Sequence, residues 1–240
     1  MSGQILLFLI VAAIADVVGA VLFLLRRRWD DEALRVLVAT GAGFMLAVAL
    51  VEMMPEALKQ LPSAGVWVIG GFLLVHLAEH VLTPHFHYGH ETHAGLGAHV
   101  GVAAALGLMV HSVIDGIAIV VAAQTSPHLG LLVFAAMVWH KIPGGFTLAS
   151  IVSATGGTRR TAFVAASLLG TASLVGGVIY ATLQTDYWVG PALALSSGSL
   201  IYVAATDLLP EVNKRRTVLA PLAVLFGAGV YYLAHLLAGH

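Results

Sequence analysis

Side chains suited to metal binding lie inside two of the most apolar stretches of this chain. His111 and Asp115 stand four residues apart in the stretch HSVIDGIAI. On a helix, that spacing places both side chains on one face, one turn apart. An imidazole and a carboxylate so placed can bind one divalent cation, and this donor set suits zinc and its neighbours. A hydrogen bond that only satisfies two buried groups is the alternative.

His140, in the next apolar stretch, is a third candidate ligand at a similar depth. Its surroundings read WHKIPGGF, with Lys141 adjacent and Pro143 three residues further on. Proline removes one backbone hydrogen bond, so we expect the helix to break or kink at this point. Carbonyl oxygens freed beside a polar cavity can coordinate or hydrate an ion. Together the two stretches favour an ion path over simple hydrogen bonding between helices.

The composition indicates which elements must position these residues. Of 240 residues, 59% are hydrophobic and only 10% are charged, and the mean hydropathy is +0.94. A soluble domain carries about 25% charged residues, so this chain belongs in a lipid bilayer. The absence of cysteine excludes disulfides and thiolate metal sites. The net charge of −1 gives no basis for nucleic-acid binding.

Eight segments are apolar enough, over about 20 residues, to cross a bilayer as helices. We therefore expect an all-α integral membrane protein in which residues 1–240 form one transmembrane domain. The first segment is interpreted as a retained span, because it lacks a basic signal-peptide region before it. The predicted spans are Ile5–Leu25, Leu34–Met54, Val66–Leu82, Ala98–Ala123, Leu129–Val152, Ala162–Leu183, Trp188–Leu209 and Val218–Leu237.

Basic residues predict the orientation of these spans. With eight spans, nine of the eleven Lys and Arg residues fall on one side, which the positive-inside rule makes cytoplasmic. Lys59 is on the other side, and Lys141 is within a span. We expect both termini outside the cytoplasm, in a multi-pass protein of a bacterial inner (plasma) membrane. The nine residues are Arg26, Arg27, Arg28, Arg35, Arg159, Arg160, Lys214, Arg215 and Arg216.

The second and seventh spans end in the same motif. The second closes with Glu52-Met-Met-Pro55-Glu56 and the seventh with Asp207-Leu-Leu-Pro210-Glu211. In the predicted orientation these motifs lie at opposite faces of the membrane. That is the pattern of an inverted repeat, in which spans one to three mirror spans six to eight. Such a 3+2+3 arrangement is typical of transporters.

These motifs resemble those of the ZIP family of divalent-metal transporters, and the resemblance covers nearly the whole chain. His111-Ser112-x-x-Asp115-Gly116 is similar to the family's His-Asn-x-x-Asp/Glu-Gly. The segment HKIPGG, residues 140–145, is similar to its His-Glu-x-Pro-His/Glu-Glu/Gly. The ends Met54-Pro55-Glu56 and Leu209-Pro210-Glu211 resemble its recurring Leu-Pro-Glu.

The resemblance implies a mid-membrane metal site between the fourth and fifth spans, where family members can hold two bridged ions. His111, Asp115 and His140 match ligands of the first ion, and Met45 resembles a methionine that can approach it. A lipid-facing position or packing in the core is the alternative for Met45. Candidates for the second ion or for gating are Asp207, Glu52, Ser112, Glu211 and Lys141.

Lys141 is the main departure from the family pattern, because the family usually has an acid there. Gly144 likewise replaces a frequent ligand. We hypothesise a single-metal site in which the Lys141 ammonium lies roughly where the second ion would, paired with Asp207 or Asp115. A buried charge without a partner is very costly. A neutral lysine is the alternative. Asp16 and His235 are interpreted as interhelical hydrogen bonders.

The loop between the third and fourth spans, at about residues 83–99, carries five histidines and is cytoplasmic in this orientation. They can chelate metal loosely, to receive or sense it; a solvated linker is the alternative. The residues are His85, His87, His90, His93 and His99.

The function predicted from these features is movement of a divalent cation, most simply Zn²⁺, into the cytoplasm. Cd²⁺, Fe²⁺ and Mn²⁺ are further candidate substrates, and no organic cofactor is expected. Partners are the metal ion and the lipid bilayer, and a homodimer is one assembly that the small residues of the spans would allow. An intramembrane zinc-dependent hydrolase is the alternative, although it would need a general base that the motifs do not supply.

Overall fold

The computed structural model describes residues 2–25, 31–82, 98–183, 186–213 and 217–237, and within these ranges all regular structure is helical. Two of the helices, α2 and α8, continue through a π-helical turn into a short α-helix. The elements are α1 (Gly3–Leu25), α2 (Asp31–Ala47), α3 (Met54–Gln60), α4 (Ala64–Leu82), α5 (Ala98–Thr125), α6 (Pro127–Ala154), α7 (Arg159–Leu183), α8 (Asp186–Tyr202), α9 (Leu209–Asn213) and α10 (Leu219–Leu237).

Seven helical stretches in the described residues are long and apolar enough to cross a membrane. They correspond to seven of the eight predicted spans. The remaining one, in α4, has its apolar part at Ala64–Ala78, which is shorter than the others. The outer surface is apolar, with Leu7, Val66 and Phe226 more than half exposed, whereas polar side chains are buried inside. This arrangement is that of a helical membrane protein, whose surroundings are lipid.

The two acid-x-x-Pro-Glu motifs coincide with the two π-helical turns. One turn covers Val48–Met53 and the other Val203–Leu208, and each ends two residues before a proline, Pro55 or Pro210. Proline donates no hydrogen bond and its ring collides with the carbonyl four residues earlier. The widened turn accommodates that collision without ending the helix, and such turns are frequent at functional sites.

Pro143 has a different effect from the one predicted. Helix α6 is continuous from Pro127 to Ala154 with Pro143 inside it, so the predicted break beside His140 is wrong. The lost hydrogen bond is absorbed within an α-helix that is packed against α1, α5 and α7. The irregular backbone lies instead in the two π-helical turns.

The helices form two groups. In the first, α1 and α5 each pack on α6 and α7. In the second, α2 packs on α10, while α4 and α3 pack on α8. Contacts between the groups are less extensive and run mainly through α5 with α8 and α4, and through α2 with α6. The polar residues of α5 and α6 therefore belong to one group.

Glycines set the distance between the helices, and their contacts are reciprocal. A Cβ on Gly19 would collide with the Ile142 carbonyl of α6, and a Cβ on Gly145 would collide with the Asp16 carbonyl of α1. Backbones this close are typical of membrane helices joined at small residues. Three other pairs repeat the pattern: α5–α7 through Gly116 and Gly176, α2–α10 through Gly43 and Gly227, and α4–α8 through Gly71 and Gly198.

The chain can be divided into two halves, α1–α5 and α6–α10, and aligned so that the contacting glycines match. This alignment pairs Gly19 with Gly176, Gly43 with Gly198, Gly71 with Gly227, and Gly116 of α5 with Gly145 of α6. In that alignment α1 corresponds to α7 and α6 corresponds to α5. The packing of α1 on α6 therefore corresponds to the packing of α7 on α5. Extended along the helices, it pairs three sets of polar positions: His111 with His140, Ser112 with Lys141, and Glu52 with Asp207.

Replacement of Gly145 by alanine should destabilise the protein, because the new Cβ would meet the Asp16 backbone, which cannot rotate away. Overpacking of this kind costs about 1–3 kcal/mol. The measurement is the melting temperature of the purified protein in detergent. Gly229→Ala is the matched control, since nothing lies within 4 Å of a Cβ at that position. Equal melting temperatures for the two variants would contradict the close approach of α1 and α6.

Candidate metal site

His111, Asp115 and His140 form a compact, fully interior cluster. Their ligand atoms lie within 4.8 Å of one another, and all three side chains are buried. His111 Nε2 is 3.4 Å from Asp115 Oδ1, and His140 Nε2 is 3.4 Å from Asp115 Oδ2. Ligands about 2.1 Å from a tetrahedral zinc ion are about 3.4 Å apart, and each of these two nitrogen–oxygen distances matches that separation.

Hydrogen bonds orient both imidazoles. His140 Nδ1 is 3.2 Å from the Ala136 carbonyl, which can only accept, so Nδ1 donates this hydrogen bond and Nε2 faces Asp115. His111 Nδ1 is 3.3 Å from the Ser199 hydroxyl of α8. Its Nε2 makes no hydrogen bond with any described residue. A buried nitrogen of this kind is a suitable ligand for a metal ion, since outer partners fix the ring.

Lys141 is buried beside this cluster and contacts two carboxylates. Its Nζ lies 3.1 Å from Asp16 Oδ2 and 3.2 Å from Asp115 Oδ2. It also donates a hydrogen bond of 2.9 Å to the Ser112 hydroxyl, which in turn donates to the Leu169 carbonyl of α7. The ammonium and the candidate metal position therefore share Asp115 as a neighbour.

The contacts of Lys141 correct one part of the sequence prediction. Asp115 is one of the two acids expected to pair with it, but the second is Asp16 rather than Asp207. The reason is packing: Gly19 and Gly145 bring α1 against α6, so Asp16 reaches Lys141. Asp207 belongs to the π-helical turn of the other group, where Thr206 donates a 3.4 Å hydrogen bond to it. Asp16 is thus an ionic partner as well as a link between helices.

The other predicted residues lie outside this cluster. Met45 is fully buried in the main apolar core. Glu52 lies in the first π-helical turn and contacts Tyr231 and His235 of α10. Glu211 belongs to α9 and His99 to the first turn of α5. The remaining loop histidines, His85, His87, His90 and His93, lie outside the described residues.

Sequence reasoning missed two residues that support the cluster. Ser199 holds His111, but serines are common in such spans and nothing in its sequence context marks it. Asp16 was identified as buried and polar without its partner. A lysine within a span requires a nearby acid. Five acids lie inside the predicted spans, so only the helix packing selects Asp16.

The fold and this cluster define a polytopic helical membrane protein with a candidate cation site among its spans. The family model described as ZIP Zinc transporter matches residues 3–105 and 89–234. The chain therefore belongs to the ZIP zinc transporter family.

Individual relatives cover different shares of the chain. Zinc transporter ZIP9-B of Xenopus laevis is 32% identical over 159 residues, which is 62% of this chain and 52% of that protein. The chain thus spans about half the length of the ZIP9 relatives it matches. Zinc transporter ZupT of Enterobacter sp. (strain 638) is 27% identical over 220 residues, 85% of each chain. ZupT of Salmonella newport (strain SL254) is 28% identical over the same length.

Replacement of Lys141 by methionine should destabilise the protein, because it leaves Asp16 and Asp115 buried together without a counter-charge. Breaking a buried ion pair costs about 3–5 kcal/mol. The double variant Lys141→Met/Asp16→Asn should recover part of that loss, since it removes one of the two stranded charges. Melting temperatures of the two proteins, purified in detergent, measure both effects. A Lys141→Met protein as stable as the wild type would show that the ion pair does not hold α1 to α6.

Proposed function

We propose that this protein carries a divalent cation, zinc in the first place, across the membrane through the His111–Asp115–His140 site. The supporting observation is the convergence of three ligand side chains, all buried, from two adjacent apolar helices. A buried ligand set with no sulfur suits zinc and related cations. Cd²⁺, Fe²⁺ and Mn²⁺ are further candidate cargo. The names of the ZIP9 and ZupT relatives agree with zinc.

The proposed topology has eight spans, with α4 as the third, and both termini outside the cytoplasm. Spans one to three and six to eight form an inverted repeat, and the reciprocal glycine contacts support this. Each helix group then contains helices from both halves of the chain. Movement of α1, α5, α6 and α7 against the second group would expose the site to one side at a time, and uptake into the cytoplasm is the direction we propose.

The proposed site holds one ion. Lys141 stands where family members usually have an acid, and its ammonium already contacts Asp115 and Asp16. With both acids ionised, the empty site carries one net negative charge, and one divalent cation changes this to one net positive charge. A second cation would add two more positive charges within a few ångströms, at a high cost in lipid. We therefore assign the second-ion position to the ammonium.

The remaining candidates have proposed roles around this site. Met45, on a helix of the other group, could approach the ion from its buried position. Ser112 fixes Lys141 through a hydrogen bond. Asp207 and Glu211 would act at one mouth of the path, and the loop histidines would receive or sense the metal at the cytoplasmic face. A hydrolase remains less well supported, because Lys141 contacts two carboxylates and is poorly placed to act as a general base.

Replacement of His111 by alanine should abolish saturable zinc uptake, because the site loses one of its two imidazoles. The measurement is accumulation of radioactive zinc by proteoliposomes that contain the full chain. His80→Ala is the matched control: His80 is an exposed histidine of α4, bonded to the His76 carbonyl, and away from the cluster.

Wild-type uptake by the His111→Ala protein would contradict the proposed path. Hydrolysis of a lipid or peptide panel by the wild type, with no zinc uptake, would favour the alternative function.

A further inference from the structure

A second group of metal-ligating side chains lies apart from the first. Glu52 of the first π-helical turn, His128 of α6 and His235 of α10 bring their ligand atoms within 4.8 Å of one another. His235 Nδ1 is 2.6 Å and His128 Nε2 is 3.7 Å from the same oxygen, Glu52 Oε1. The two rings are 5.9 Å apart at their centroids. All three side chains are partly exposed.

This outer cluster is distant from the buried site but lies on the same helix. Twelve residues of α6 separate His128 from His140, which is about 18 Å along a helix axis. His128 stands at the start of α6, two residues after the helix cap at Ser126, and His235 stands near the end of α10. The cluster is therefore at one end of the bundle, and its three side chains are partly exposed there.

The backbone presents Glu52 to this position in a defined way. Glu52 lies inside the π-helical turn, which has one residue more than an α-helical turn. Tyr231 donates a 2.9 Å hydrogen bond to Glu52 Oε1 and so holds the carboxylate in place. Partners that orient a ligating carboxylate are a regular part of metal sites.

A hydrogen-bonded link between helices accounts for only part of this geometry. Tyr231 and His235 are within hydrogen-bond distance of Glu52, and they would suffice to join α10 to the π-helical turn. His128 Nε2, at 3.7 Å from the same oxygen, is too far for a hydrogen bond with it. The two atoms are nonetheless close enough to be ligands of one cation.

We propose that Glu52, His128 and His235 form a second binding site for a zinc-like divalent cation, outside the membrane interior. Two imidazoles and one carboxylate are the donors of open zinc sites, in which a fourth position stays available for exchange. No ammonium competes for Glu52 among its described contacts, in contrast to Asp115. The site is thus suited to capturing a cation from water.

The site also joins the two helix groups. His128 belongs to the group of α1, α5, α6 and α7, whereas Glu52 and His235 belong to the other group. Relative movement of the groups would separate His128 from Glu52 and release the ion. The release of the ion by this movement rests on the proposed transport function, but the proposed binding site does not.

The correspondence between the two halves supports a role for these positions. Extended along the helices, the alignment fixed by the glycines carries Glu52 to Asp207, His128 to His99 and His235 to Glu79. Each of the three partner positions again holds an acid or a histidine. Chance is a poor explanation for three matches among side chains that are rare in this chain.

The test is zinc binding by the full chain in detergent, measured by equilibrium dialysis with radioactive zinc. The variants His128→Ala and Glu52→Gln should each lose one bound ion or weaken it by at least about tenfold. His80→Ala is the matched control, because it removes an exposed histidine that lies outside the cluster and keeps all three ligands. His111→Ala should keep the outer ion whether or not the buried site binds zinc.

Loss of the outer ion in His128→Ala, with the ion retained in His80→Ala, would support the site. A wild-type binding curve for His128→Ala and Glu52→Gln would overturn it. Equal loss in His80→Ala and His128→Ala would also overturn it, because the bound ion would then not depend on this cluster. Failure of the transport proposal would appear separately, as unchanged binding and uptake in His111→Ala.

Discussion

A lysine ammonium buried among apolar helices requires compensating charge, and this requirement organises the centre of the molecule. Lys141 satisfies it with Asp16 of α1 and Asp115 of α5, so three helices are joined by one cation. The glycine contacts of α1 with α6 and of α5 with α7 make these short distances possible. The same contacts place His111 and His140 around Asp115. Helix packing and the candidate metal site therefore depend on one another.

The two halves of the chain supply similar frames but different chemistry. His111 and His140 occupy corresponding positions, as do Gly116 and Gly145, whereas Ser112 corresponds to Lys141 and Asp115 to Gly144. The first half thus provides the carboxylate of Asp115, and the second half provides the ammonium of Lys141. This difference is the physical basis for proposing one ion in the centre.

The sequence predicts most of this arrangement, and its failures have physical causes. Helical spacing was enough to place His111 beside Asp115, and apolar length was enough to locate the seven helices that are long enough to cross a membrane. Pro143 was expected to break α6, but tertiary packing keeps that helix continuous, while Pro55 and Pro210 produce π-helical turns instead. Asp16 and Lys141 are 125 residues apart, so their contact follows only from how α1 packs on α6. His128 went unnoticed because a histidine at the start of a span resembles an ordinary interfacial residue.

The central claim is that the Lys141 ammonium takes the place of a second ion beside a single metal at His111, Asp115 and His140. Anomalous diffraction from crystals of the cadmium-bound protein tests it most directly, because the anomalous peaks count and place the ions. We expect one peak among these three residues, with Lys141 still in contact with Asp16. Two peaks bridged between α5 and α6, with Lys141 displaced from the site, would contradict the account.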